Sequence, residues 1–103
     1  MFCTASHYLV QSQDIDDLVR LFKEKIIPGT AQQKGYKGIE VITKPNTSEN
    51  TSEFVVLKFW DSEENSNAWS KNPVKKQLNS GITPLLIGKG THHFYIVQAR
   101  TVQ

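Results

Sequence analysis

Residues 54–72 read FVVLKFWDSEENSNAWSKN, and their reading decides the fold. Phe54 to Trp60 is apolar but for Lys58 and rich in β-branched and aromatic side chains, which suits a strand. Asp61 and Ser62 stop that run. Glu63 and Glu64 follow, and carboxylates are favoured in the first turn of a helix, where backbone N–H groups carry partial positive charge. Asp61 with Glu64 fits a capping box. Ala68 and Trp69 give the short helix its apolar contact. The stretch is strand, cap and helix, and the rest of the chain is placed by what packs on it.

Upstream, Ala5 to Gln11 alternates as a strand, with Ala5, His7 and Leu9 on one face. Ser12 to Asp14 is a polar stop. Ile15, Leu18, Val19, Phe22 and Ile26 then recur at helical spacing, Pro28-Gly29 is expected to interrupt the helix, and some helical structure is expected to resume through Ala31 to Lys34. Gly35 to Gly38 is a turn before a second strand, Ile39 to Lys44. Pro45 to Ser52 is polar and reads as a loop. Downstream, Asn72-Pro73 opens a second short helix with Pro at its first position. Ile82 to Ile87 carries Pro84 and reads as an irregular segment, Gly88 and Gly90 as a turn, and Thr91 to Ala99 as the last strand. Arg100 to Gln103 is expected to fray.

The order is β-α-β-β-α-β, the ferredoxin-like α+β arrangement, with helices on one face of a four-stranded antiparallel sheet. The first strand should lie between the third and fourth. Strand 54–60 is apolar on both faces, and two helices cover only one. The second face therefore calls for a partner, and a homodimer with two sheets face to face supplies it.

At 103 residues the chain fits a single domain over 1–103. A net charge of +2 with dispersed lysines gives no nucleic-acid footprint. Lys71, Lys75 and Lys76 read as a solvated helix face. No apolar run approaches the roughly 20 residues that span a bilayer, so no membrane partner is expected. The single cysteine, Cys3, excludes an internal disulfide and fits a reducing compartment. The expected location is the cytoplasm.

These features resemble the antibiotic biosynthesis monooxygenase (ABM) superfamily of dimeric α+β barrels. The likeness rests on Gly35-Tyr36-Lys37-Gly38, on the run from Phe54 through Asp61-Ser62-Glu63-Glu64 to Ala68-Trp69, on Asn72-Pro73-Val74-Lys75 with Pro84-Leu85-Leu86, and on His93-Phe94-Tyr95-Ile96-Val97. The resemblance implies an ABM-family monooxygenase that oxidises a small aromatic or quinol-like compound with molecular oxygen, without a bound metal or organic cofactor. The bacterial haem-degrading members offer an alternative, with haem as the ligand. They carry an Asn on the first strand, a Trp on a helix and an axial His on the next helix. Trp69 matches that Trp, His7 stands at the Asn position, and Asn79 stands at the axial His position. Haem iron would thus lack its expected ligand. A third reading is a non-catalytic dimeric binder of a hydrophobic metabolite.

Three residues carry the expected site: His7, Trp69 and Asn79. His7 is either a core histidine or a base for a phenolic proton. Trp69 either fills core or walls a cavity, and the two are compatible. Asn79 is either a cavity group or a surface residue near a helix end. His92 and His93 are adjacent on a strand and point to opposite faces, so at most two histidines cluster, short of a usual metal site.

Overall fold

The computed structural model describes residues 1–46 and 50–101. Strand β1 (Phe2–Gln11) leads through a 3₁₀ turn (Ser12–Asp14) into α1 (Ile15–Leu21). A π turn over Phe22–Ile26 joins α1 to α2 (Ile27–Ala31). Then come β2 (Tyr36–Asn46), β3 (Thr51–Trp60), α3 (Glu63–Ser70), α4 (Pro73–Asn79), a 3₁₀ turn (Thr83–Leu85) and β4 (Leu86–Ile96). The sheet order is β2-β3-β1-β4, and all three pairings are antiparallel. The ferredoxin-like α+β fold expected from the sequence is the one observed.

Several boundaries differ from the sequence reading, each for a local reason. Pro28 and Gly29 do not interrupt the helix, which runs on without a break to Ala31. Pro28 lies in the first turn of α2, and the wide π turn before it absorbs the missing N–H. Thr30 donates its hydroxyl to the Ile26 carbonyl at 2.6 Å, inside this segment. The cap of α3 is Ser62, whose hydroxyl accepts from Asn65 N–H, rather than Asp61. Asp61 instead accepts from the Asn65 amide at 2.7 Å, and its N–H bonds the Gly35 carbonyl at 2.8 Å.

Strand β4 starts at Leu86, not Thr91. Gly88 and Gly90 lie within it, at an irregularity opposite His7 to Leu9. Gly90 packs against Tyr8, and a Cβ there would meet that ring. The 45–52 loop is shorter than expected, since β2 reaches Asn46 and β3 begins at Thr51; residues 47–49 lie outside the described residues. The tail is held at Arg100, whose guanidinium sits 4.0 Å over the Phe59 ring and 3.7 Å from Glu40. Residues 102–103 of the expected fraying tail lie outside the described residues.

The strand registers sort the side chains. Val10, Phe54 and Val56 face the helices and pack with Leu18, Phe22, Ile26 and Ile82 in the main core. Phe2, Trp60 and Trp69 form a second buried cluster. The opposite face carries Ala5, His7 and Leu9 from β1, Val55, Leu57 and Phe59 from β3, Ile42 from β2, and His93 and Tyr95 from β4. Among the described residues no helix covers it, and Leu9, Ile42, Ile87 and Tyr95 are exposed there.

Candidate functional site

The helix-covered side holds a cavity of about 190 Å³ between the sheet and α3–α4. Its sheet wall is built by residues two apart on their strands: Thr4 and Ser6 on β1, Lys58 and Trp60 on β3, His92 and Phe94 on β4. Strand alternation sends all six side chains to the same face. Helix α3 adds Ser66, Trp69 and Ser70, and α4 adds Lys75. A smaller neighbouring hollow shares Ser6 and Lys58 and reaches Tyr8 and Asn79.

The electrostatics of this cavity are one-sided. Lys58 stands where an otherwise apolar strand would place a hydrophobic residue. Loss of hydration, reinforced by the nearby Lys75 ammonium, lowers its pKa to about 7. Burial also lowers Lys75. His92 is lowered first by burial, then by Lys75, Lys58 and His93. His92 Nδ1 lies 2.8 Å from Ser6 Oγ. Among the described residues no carboxylate lines this cavity and neither lysine forms an ion pair. The Trp69 side chain is buried, and its indole N–H has no hydrogen-bond partner among the described residues.

The expected site residues separate. Trp69 lines the cavity and also belongs to the buried cluster with Phe2 and Trp60. Asn79 is half-buried at the adjacent hollow. His7 lies on the opposite face of the sheet, with Nδ1 2.8 Å from Glu53 Oε1 and its ring 5.7 Å from that of His93. The structure therefore does not bring His7 and Trp69 together. One position of register separates His7 from Ser6, the β1 residue that does face Trp69. Of the two adjacent histidines, His92 faces the cavity and His93 faces His7. Among the described residues no group of three or more His, Cys, Asp or Glu is placed to hold a metal.

A larger hollow of about 420 Å³ lies on the other side, lined by His7, Leu9, Lys44, Pro45, Glu53 and Tyr8. It is the more open of the two, and among the described residues no helix of the same chain lies above it, so one subunit by itself leaves it to water. The smaller, walled cavity is the better candidate for chemistry. Lys58, Lys75 and Ser6 were not singled out as site residues from the sequence, and which of His92 and His93 turns inward was left open. The signal for Lys58 was present: it is the one charged residue in the run Phe54–Trp60. Lys75 does not belong to a solvated face, because α4 turns it toward the cavity.

Residues 1–79 match the family model described as Antibiotic biosynthesis monooxygenase. The chain belongs to the ABM family. The match takes in β1, β3, Lys58, Trp69 and Lys75, while His92 and Phe94 come from the strand beyond it. Solved structures share the ABM fold at low identity. A monooxygenase from the gene ActVA-Orf6 of Streptomyces coelicolor, in complex with nanaomycin D, is 16% identical over 99% of this chain and 91% of that one, with a TM-score of 0.77. SnoaB from Streptomyces nogalater, a cofactor-independent oxygenase, is 10% identical over 99% and 97%, with a TM-score of 0.68. A variant of MhuD with two manganese protoporphyrin IX molecules bound per active site is 17% identical over 100% of both chains, with a TM-score of 0.76. No curated protein sequence matches the chain significantly. Among the described residues no helix is long and apolar enough to cross a membrane.

Proposed function

We propose that this ABM protein is a monooxygenase that oxidises a small aromatic, quinol-like compound with molecular oxygen, without a metal or organic cofactor. The observation that carries this reading is the walled cavity between sheet and helices, lined by Trp60, Trp69 and Phe94 and by titratable groups. Its size suits one or two aromatic rings, since it lies below the roughly 300–1,000 Å³ of sites for drug-sized ligands. Electron-rich aromatic anions react with oxygen directly. For an activated ring CH₂, one oxygen atom ends in a new C=O and the other in water, and the substrate supplies all four electrons. The protein then has to bind, orient, remove a proton and limit water. Trp69 serves as wall and donor in this reading, and Asn79 borders the substrate from the adjacent hollow.

The reading includes a homodimer. The open face carries exposed Leu9, Ile42, Ile87 and Tyr95 around Val55 and Leu57, and a second copy packed sheet to sheet would bury it. His7 and Glu53 belong to that face. The buried, free Cys3 thiol fits a reducing cytoplasmic setting.

The likeness to MhuD raises a second reading, haem binding. The residues present do not fit it. Asn79 offers no imidazole, His92 is the only cavity imidazole among the described residues, and the cavity is small for a macrocycle. Mixing the protein with haemin tests this, and a Soret shift at equimolar ratio would restore the haem reading. Oxygen uptake across a panel of naphthoquinols and anthrones tests the oxygenase. Uptake faster than autoxidation is expected, and a panel that binds without consuming oxygen would leave a non-catalytic binder.

A further inference from the structure

A lysine on the helix-facing side of a central strand, without a carboxylate nearby, needs a reason. Lys58 is half-buried in the cavity wall; a charge that is partly out of water and unpaired is still costly, and a protein relieves that cost by neutralising the group or by supplying an anion. Here the wall around Lys58 supplies no anion. Lys75 approaches from α4, His92 from β4 and Tyr8 from β1. His93, on the other face, adds a further repulsive influence on His92. The cavity is thus cationic or neutral throughout, with aromatic walls at Trp60, Trp69 and Phe94. The buried Trp69 N–H is a donor that an acceptor in the cavity can satisfy.

We infer that Lys58 is the base that receives the hydroxyl proton of a hydroxyarene bound in this cavity. This rests on the oxygenase reading and its substrate class, and names the base. In the step the arene O–H bond breaks, the Nζ lone pair of Lys58 takes the proton, and the bonding pair stays on oxygen. No oxidant takes part. The product is an arenolate facing a Lys58 ammonium with Lys75 behind it, an ion pair that gains strength as water is excluded. The arenolate is also the electron-rich form that oxygen attacks. A lysine that titrates at about 7 is suited to this, because the best base has a pKa close to the working pH.

Anaerobic titration with 2-naphthol, followed by absorbance, tests this without any oxygen chemistry. At neutral pH the free probe is un-ionised, since phenolic hydroxyls titrate near about 10. Bound to the protein it should show the naphtholate band. Lys58→Met should bind it with the neutral spectrum. A wild-type complex showing only neutral naphthol, or a Lys58→Met complex with the full naphtholate band, overturns the assignment. Should Lys58→Met fail to fold, calorimetry of the wild-type protein in buffers of different ionisation enthalpy decides. Binding should release close to one proton at about pH 6, where Lys58 starts protonated, and almost none at about pH 8.5, where it starts neutral. A release that does not change with pH overturns the assignment. Naphthol bound un-ionised removes Lys58 as the base but leaves the oxygenase reading, which stands or falls separately on oxygen uptake.

Discussion

Ser6 Oγ and His92 Nδ1 lie 2.8 Å apart, a side-chain bond that ties β1 to β4 on the helix side of the sheet. It fixes the His92 ring at the cavity wall beside two lysines. The same strand pairing places His7 and His93 together on the opposite face. The two faces therefore divide the three histidines of the chain, one to the cavity and two to the open sheet.

His92 should titrate below the ordinary histidine range, through burial first and then repulsion by Lys75 and Lys58. Lys58→Met removes one of those cations, so the His92 titration should move up. NMR of the ring protons measures both. A His92 pKa that is unchanged in the variant would mean that the two groups do not sense each other.

Lys58 gives stability a pH dependence of known sign. Its folded pKa, about 7, lies below the unfolded value. Between the two the unfolded chain binds more protons, so stability rises with pH from about 7 toward about 10.4 and is lowest on the acid side. Lys58→Met should lose this slope and melt higher than the wild type at pH 6, because a desolvated charge is gone. Thermal melts at pH 6 and pH 9 check it, and a variant that melts lower at pH 6 would show Lys58 to be well compensated.

The sheet, its order and the helices were legible because each rests on a local signal. Alternation marks β1, helical spacing marks Ile15 to Ile26, and the apolar run marks β3. What failed was finer. The alternation of β1 gave two equal faces, and nothing local said whether Ser6 or His7 turns toward Trp69. That choice is made by which face the stripe of Leu18 on α1 and Phe22 in the π turn covers, through Val10, Phe54 and Val56. Lys58 was visible as an anomaly, but its meaning needed Lys75 and His92, which stand 17 and 34 positions away in the sequence. Gly88 and Gly90 mimicked a turn because bulges and turns use glycine for the same backbone freedom; Gly88 has φ +68°.

The junction between β3 and α3 is a second place to test the fold. Ser62→Ala removes the cap hydrogen bond to Asn65 N–H and should cost about 1 kcal/mol. Gly35→Ala should cost more, because Gly35 has φ +83° and a Cβ would press on Asp61 and Asn65. Urea unfolding of the two variants ranks them, and a tolerated Gly35→Ala would contradict the tight turn.

The two faces of the sheet should respond differently to charge. Ile42 is 50% exposed on the open face, whereas Val56 is 3% exposed in the helix-side core. Ile42→Asp should dissociate the proposed dimer and leave a folded monomer. Val56→Asp should unfold the chain, since it buries an unpaired carboxylate. Sedimentation with circular dichroism distinguishes the outcomes, and a wild-type protein that is monomeric at micromolar concentration would end the dimer proposal.

The side of the sheet on which chemistry occurs is tested most directly by oxygen uptake with a naphthoquinol, measured on the wild type, Lys58→Met and His7→Gln in parallel. Loss of a positioned base costs on the order of 10²–10⁴-fold in rate. Lys58→Met should fall by that much and lose the rise in rate around pH 7, while His7→Gln should turn over as the wild type does. Full activity in Lys58→Met together with loss of activity in a folded His7→Gln would place the reaction on the open face and contradict the cavity as the active site.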